Sequence, residues 1–127
     1  HLQALGFNPI AVNFGAGAVN KQIYRYKSDE LWGDLRDGMD KLCLPTDETG
    51  RELFEQLTQR EFDYLQSGHV HLERKKDMKA RLGRELGGSP DIADALACTF
   101  FMPVAPTKMA WGEGPSAMNK YEYDPLA

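Results

Sequence analysis

Two aspartates, Asp91 and Asp94, stand three positions apart just after Ser89-Pro90, a sequence that opens a helix. At that spacing both carboxylates project from one side of the first turn, and hard divalent cations such as Mg²⁺ favour oxygen ligands of this kind. The plainer reading is that aspartate is simply favoured at helix N-termini by the dipole. Shortly upstream runs a basic stretch, Arg74, Lys75, Lys76, Lys79, Arg81 and Arg84. It reads either as a phosphate-contacting surface or as a solvated helix face. Chemistry on a phosphodiester needs its polyanion delivered beside metal-holding carboxylates, so the two features strengthen one another.

Other chemical groups are weaker candidates. His69 and His71 are two apart and would share one face of a strand, yet no third ligand follows at a zinc-type spacing. The run from Asn13 through Ala18 is glycine-rich after an apolar stretch, but it has neither GxGxxG nor the Lys-Ser/Thr of a P-loop. Cys43 and Cys98 form no CxxC pair and read as reduced thiols of a cytosolic protein. No serine, cysteine or lysine stands in a recognisable nucleophile motif.

The elements that must position these groups are those of a single soluble α/β domain. The chain has 127 residues, 42% hydrophobic and 27% charged, enough to bury a core without disulfides or a structural metal. Its net charge of −4 weighs against a simple DNA-coating module but does not exclude a nuclease, because metal-binding acids lower the net charge of such sites. No stretch is long and apolar enough to span a bilayer, and no signal peptide is recognisable. The start at His1 without a methionine reads as a piece of something longer.

Leu2, Leu5 and Gly6 read as the end of a helix, and residues 10–14 as a strand buried on both faces. Residues 15–26 read as a surface loop. Leu31, Trp32, Leu35, Met39, Leu42 and Cys43 trace one helical stripe over residues 28–44, with Ser28 as N-cap and Asp29 and Glu30 in the first turn. A second helix starts at Thr46-Asp47-Glu48 and carries Leu53, Phe54 and Leu57. Residues 61–65 and 69–73 alternate about Gln66-Ser67-Gly68 and predict a β-hairpin, each strand burying one face. Residues 74–86 predict an exposed helix stopped by Gly87-Gly88. Ser89 is then the N-cap of a last helix with Ile92, Ala93, Leu96 and Phe100 on its apolar face. From Pro103 onward periodicity is lost, and residues 105–127 read as an extended or disordered tail.

In their order and spacing several segments resemble the nuclease domain of bacteriophage large terminase subunits. These are Val12-Asn13-Phe14-Gly15; Tyr26-Lys27-Ser28-Asp29-Glu30-Leu31-Trp32 with Leu35-Arg36; Leu57-Thr58; Glu61-Phe62-Asp63-Tyr64; Glu73-Arg74-Lys75-Lys76-Asp77-Met78-Lys79; and Ser89-Pro90-Asp91-Ile92-Ala93-Asp94-Ala95-Leu96-Ala97. The resemblance implies an α/β fold, part of an RNase H-like fold with a sheet, flanking helices and an inserted hairpin, over residues 1–104. It implies a two-metal endonuclease, using Mg²⁺ or Mn²⁺, that cuts concatemeric DNA during genome packaging in the host cytoplasm. Its partners would be double-stranded DNA, the terminase small subunit and the portal protein, with no membrane.

By the same match Asp91 and Asp94 are the metal-binding and catalytic candidates, and Lys75, Lys76, Lys79 and Arg81 the DNA-binding ones. The family's other acidic residues lie upstream of the helix ending at residues 2–6, so this chain alone is expected to lack a complete active site. A strand stripped of its neighbours would invite a homodimer. Two rival readings stand beside this one: a non-catalytic phage assembly or interaction module, and a small hydrolase complete in this chain that draws on Asp63, Glu73 and Asp77.

Overall fold

A computed structural model describes residues 1–86 and 88–102; the tail expected over residues 105–127 lies outside them. The described residues form a small mixed α/β structure of four helices and one two-stranded antiparallel sheet. The helices are α1 (Lys27–Asp37), α2 (Glu48–Gln59), α3 (Lys75–Leu86) and α4 (Asp91–Cys98); the strands are β1 (Phe62–Tyr64) and β2 (Val70–Leu72).

The apolar stripe of α1 supplies the centre of the core. Leu31, Trp32 and Leu35 pack with Leu53 of α2, Leu72 of β2, and Ala93 and Ala97 of α4. The two alanines are fully buried, and their small size lets α4 lie close against its neighbours. A buried amide joins two of the helices: the Gln56 Oε1 of α2 accepts the Ala93 N–H of α4 at 2.9 Å.

Helix α1 is shorter than its stripe predicts. It ends at Asp37, with Gly38 as its C-cap, where Phe100 packs so closely that a Cβ would stand 2.8 Å from the ring. The stripe continues in a single 3₁₀ turn, Met39–Lys41. Nor is Ser28 its N-cap. The helix begins at Lys27, and the carbonyls of Ala16 and Phe14 accept the N–H groups of Lys27 and Ser28, so backbone does the capping. The acids of the first turn act as clamps. Asp29, almost fully buried, accepts the Leu72 N–H at 2.9 Å and fastens the hairpin to α1. Glu30 accepts the N–H groups of Val19 and Asn20 and pairs with Lys27.

Helix α2 follows the expected start: Asp47 is its N-cap and accepts the Gly50 N–H at 2.9 Å. The hairpin also forms as expected, in the register Phe62↔Leu72, Asp63↔His71 and Tyr64↔Val70, with Gly68 in the left-handed conformation its turn requires. The expectation that each strand buries a face fails for β1. All three of its residues are exposed, and Phe62 borders a cavity of about 210 Å³ that Trp32 and Leu57 also line. Residues 15–26 do more than cross the surface. They bridge the hairpin edge at Tyr24↔Val70 and bury Ala18 and Tyr24.

The clearest correction concerns residues 10–14. Val12 and Phe14 lean on the core while Ala11 and Asn13 face out, the alternation of a strand. Among the described residues, however, no strand pairs with them, and residues 8–12 make no hydrogen bond. Only one face is covered, and Ile10 is 54% exposed. Residues 2–6 form only a 3₁₀ turn, Gln3–Leu5, with no buried side chain.

Candidate functional site

Helix α4 carries its two aspartates into different surroundings. Asp94 is nine-tenths buried: its Oδ1 accepts the Trp32 indole N–H at 2.9 Å and an Arg60 guanidinium N–H at 2.8 Å. The Arg60 guanidinium also lies over the Trp32 ring, 4.7 Å from its centroid, and donates to the Glu73 carbonyl at 3.1 Å. Burial pulls the Arg60 pKa down, and the Asp94 carboxylate opposes that pull. One residue from α1, one from the end of α2 and one from α4 thus close a buried ion pair bonded to an indole.

Asp91 stands outside it, with its side chain 73% exposed. Its Oδ1 accepts the Ser89 hydroxyl at 2.6 Å and the Lys75 ammonium at 3.1 Å, and these two donors hold its carboxyl below the usual aspartate range. Ser89, expected as N-cap, therefore turns its hydroxyl to the aspartate and not to the helix backbone; the N-cap position falls at Pro90. Lys75, on the first turn of α3, joins the pair, lying 2.7 Å from Asp94 Oδ2 as well. Its pKa is raised, first by Asp94 and then, against partial burial, by Asp91.

Asp94 Oδ2 is buried, and the Lys75 ammonium at 2.7 Å is its charged partner. The three charged groups line one side of an open groove of about 600 Å³, whose other side is formed by residues 12–14. Cys98 also borders the groove, its thiol pushed up by burial.

The basic candidates separate. Lys75 is at the groove. Arg81 is taken up by structure: it donates to both oxygens of Glu73 at 2.9 and 2.8 Å and to the Gln59 carbonyl at 2.6 Å, and reaches Glu61. Lys76 and Lys79 are exposed and form no ion pair among the described residues, and the charge of Lys79 is felt at Asp91. The histidines are held singly. His69 lies between Ser67 and the Lys21 carbonyl, while His71 faces Asp29 at 3.4 Å.

Among the described residues no three His, Cys, Asp or Glu side chains gather closely enough to hold a metal. Glu73 is bound to Arg81, and Asp63 accepts its neighbour's N–H, which leaves the complete-hydrolase reading without a cluster. The two carboxylates that do come together are those of Asp91 and Asp94, and the Lys75 ammonium lies between them, 3.1 Å from the first and 2.7 Å from the second.

Trp32 and Arg60 are the site residues that sequence reasoning missed. Trp32 is placed in the core by its stripe, but its indole N–H needs an acceptor, and nothing in the spacing says that the acceptor lies 62 positions away. Comparison with protein-family models, curated proteins and solved structures finds no match to this chain. Among the described residues no helix is long and apolar enough to cross a membrane.

Proposed function

We propose that this chain is the C-terminal part of an RNase H-like, metal-dependent endonuclease domain of the kind found in phage large terminases, acting on concatemeric DNA during packaging. The observation that carries the reading is the gathering of Lys75, Asp91 and Asp94 on one side of a groove whose other side is residues 12–14. A strand-like segment beside an acidic helix start is the arrangement the resemblance calls for, and its unpaired edge is where the rest of such a sheet would join.

In this reading Asp91, exposed and kept ionised, is the metal ligand that faces DNA. Asp94, locked to Trp32 and Arg60, fixes the helix that presents it. Lys76 and Lys79 meet the phosphate backbone, while Arg81 holds α3 against the hairpin. Mg²⁺ or Mn²⁺ would supply the activated water and the charge stabilisation of two-metal hydrolysis. The further carboxylates, the motor, the small subunit and the portal belong to the whole protein.

The decisive experiment is made in that whole protein. Asp91→Asn abolishes DNA cleavage and leaves ATP hydrolysis intact, while the 127-residue chain alone does not cut linear plasmid in Mn²⁺. One observation favours a second reading, a non-catalytic interaction module. Phe62 and Tyr64 form an exposed edge-to-face aromatic pair on β1, with Phe54 exposed on α2. Under that reading Asp91→Asn is silent.

A further inference from the structure

Two cavities open side by side between α1, the end of α2 and the hairpin. The first, of about 210 Å³, is bordered by Phe62, Val70 and Leu72, and the second, of about 200 Å³, by Leu35 and Met39; Trp32, Arg36 and Leu57 are walls of both. Apolar walls left without partner atoms forfeit the packing that protein interiors ordinarily complete. The charged groups here are not equivalent. Asp29 and Arg60 are spent inside the fold, on the Leu72 N–H and on Asp94. Arg36 meets Asp37 through Nε in an exposed pair, and its terminal nitrogens donate to nothing among the described residues. Such a pair holds weakly, so the guanidinium can take a second carboxylate. An occupant that fits carries a ring for the walls and an acid for Arg36.

The chain itself supplies one. Residues 103–127 lie beyond the described residues, and among them Tyr121-Glu122-Tyr123-Asp124 alternates two rings with two carboxylates. The described residues end at Met102, just after α4, which packs on both α1 and α2, the helices that wall the cavities. Residues 103–120 can span up to about 60 Å, several times the radius of gyration, about 13 Å, of a domain near this size. Reach therefore does not limit the segment. We propose that Tyr121-Glu122-Tyr123-Asp124 docks on this face of its own chain, with a tyrosine ring in the cavity beside Trp32 and a neighbouring carboxylate on the Arg36 guanidinium. Tyrosine suits the place, since its ring is buried while its hydroxyl stays at the wet mouth. Tethered, the segment is present at an effective concentration on the order of millimolar, so contacts too weak for a separate peptide suffice. The inference does not rest on the nuclease reading.

Nuclear magnetic resonance of the full 127-residue chain, with leucine and valine methyls labelled, tests this. Nuclear Overhauser effects are expected between the Tyr121 or Tyr123 ring and the methyls of Leu57 and Leu72. They are expected to vanish in the double variant Tyr121→Ser, Tyr123→Ser, which changes no wall of either cavity. Arg36→Glu is expected to lower the docked population ratio by roughly threefold, the worth of an exposed ion pair. Adding Glu122→Arg and Asp124→Arg to Arg36→Glu is expected to restore it.

Absence of any effect between those rings and those methyls overturns the proposal. So do contacts that come from Trp111 instead, which would name a different occupant. Contacts that appear only as the protein is concentrated, together with a dimer in light scattering, would make a second copy the source and overturn it equally. A charge swap that restores nothing removes Arg36 from the site, and with it the pairing on which the proposal stands. The first measurement needs no substitution, so it decides even where Arg36→Glu fails to fold.

Discussion

The corner where α1, α2 and α4 meet and the segment over residues 1–10 both carry large apolar side chains, and they end in opposite states. In the corner every strong group finds a partner: Leu31 and Leu35 are each 1% exposed, and Asp94, Arg60 and Trp32 satisfy one another. Along the N-terminal segment Leu2, Leu5, Phe7 and Ile10 are all more than half exposed, and residues 8–12 make no hydrogen bond among the described residues. Hydrophobic pattern alone does not make a core. A helix closes its own backbone bonds and needs only a face to bury, whereas a strand also needs a neighbour for its N–H and C=O groups.

The contrast can be broken most forcefully at Asp94. Asp94→Ala leaves the Arg60 guanidinium buried and unpaired, and a destabilisation of about 3–5 kcal/mol is expected in urea unfolding. A loss below about 1 kcal/mol would mean that the corner relaxes as freely as the N-terminus. Next comes Gly50→Ala. In a helix this change ordinarily stabilises by up to about 1 kcal/mol. Here the new Cβ would collide with the Pro45 carbonyl oxygen, and a loss of about 1–3 kcal/mol is expected instead. Thermal melting of the two proteins gives the sign directly.

A smaller effect sits at the clamp on α1. Burial pushes the Glu30 carboxyl up, but the Lys27 ammonium and the N–H groups of Asn20 and Val19 outweigh it and leave its pKa lowered. The stability Glu30 contributes is therefore fully present above the ordinary glutamate value of 4.5 and is lost as pH falls through its lower folded value. Glu30→Gln should flatten that acid limb in a pH series of melting temperatures. The smallest effect is expected at Ile10. Ile10→Lys should change stability by no more than about 0.5 kcal/mol, as for any exposed position. A change several times larger would show that the segment is packed, and would remove the contrast.

Read from the sequence, the corner was legible as far as its helices and no further. The stripe through Leu31, Trp32 and Leu35, the helix start at residues 46–48 and the turn at Gly68 are local signals, carried by neighbours within a few positions, and each appears where its spacing puts it. The hidden parts depend on distant chain. Phe100 packs onto Gly38 at the end of α1, two carbonyls from residues 14 and 16 replace the Ser28 cap, and Arg60 reaches Asp94 across 34 positions. The pairing of Asp91 with Asp94 was visible as a spacing. That one would be enclosed and the other left in water was not, because burial at i and i+3 of a helix is set by what packs on it.

The stack of Arg60 on Trp32 has a practical consequence. An indole that hydrogen-bonds one carboxylate and lies beneath a guanidinium has its emission tuned by the charges around it. In a Trp111→Phe background, Trp32 is the sole remaining fluorophore of its kind. The protein thus carries an optical gauge wired to the carboxylate that Lys75 touches, and no label need be added to read it.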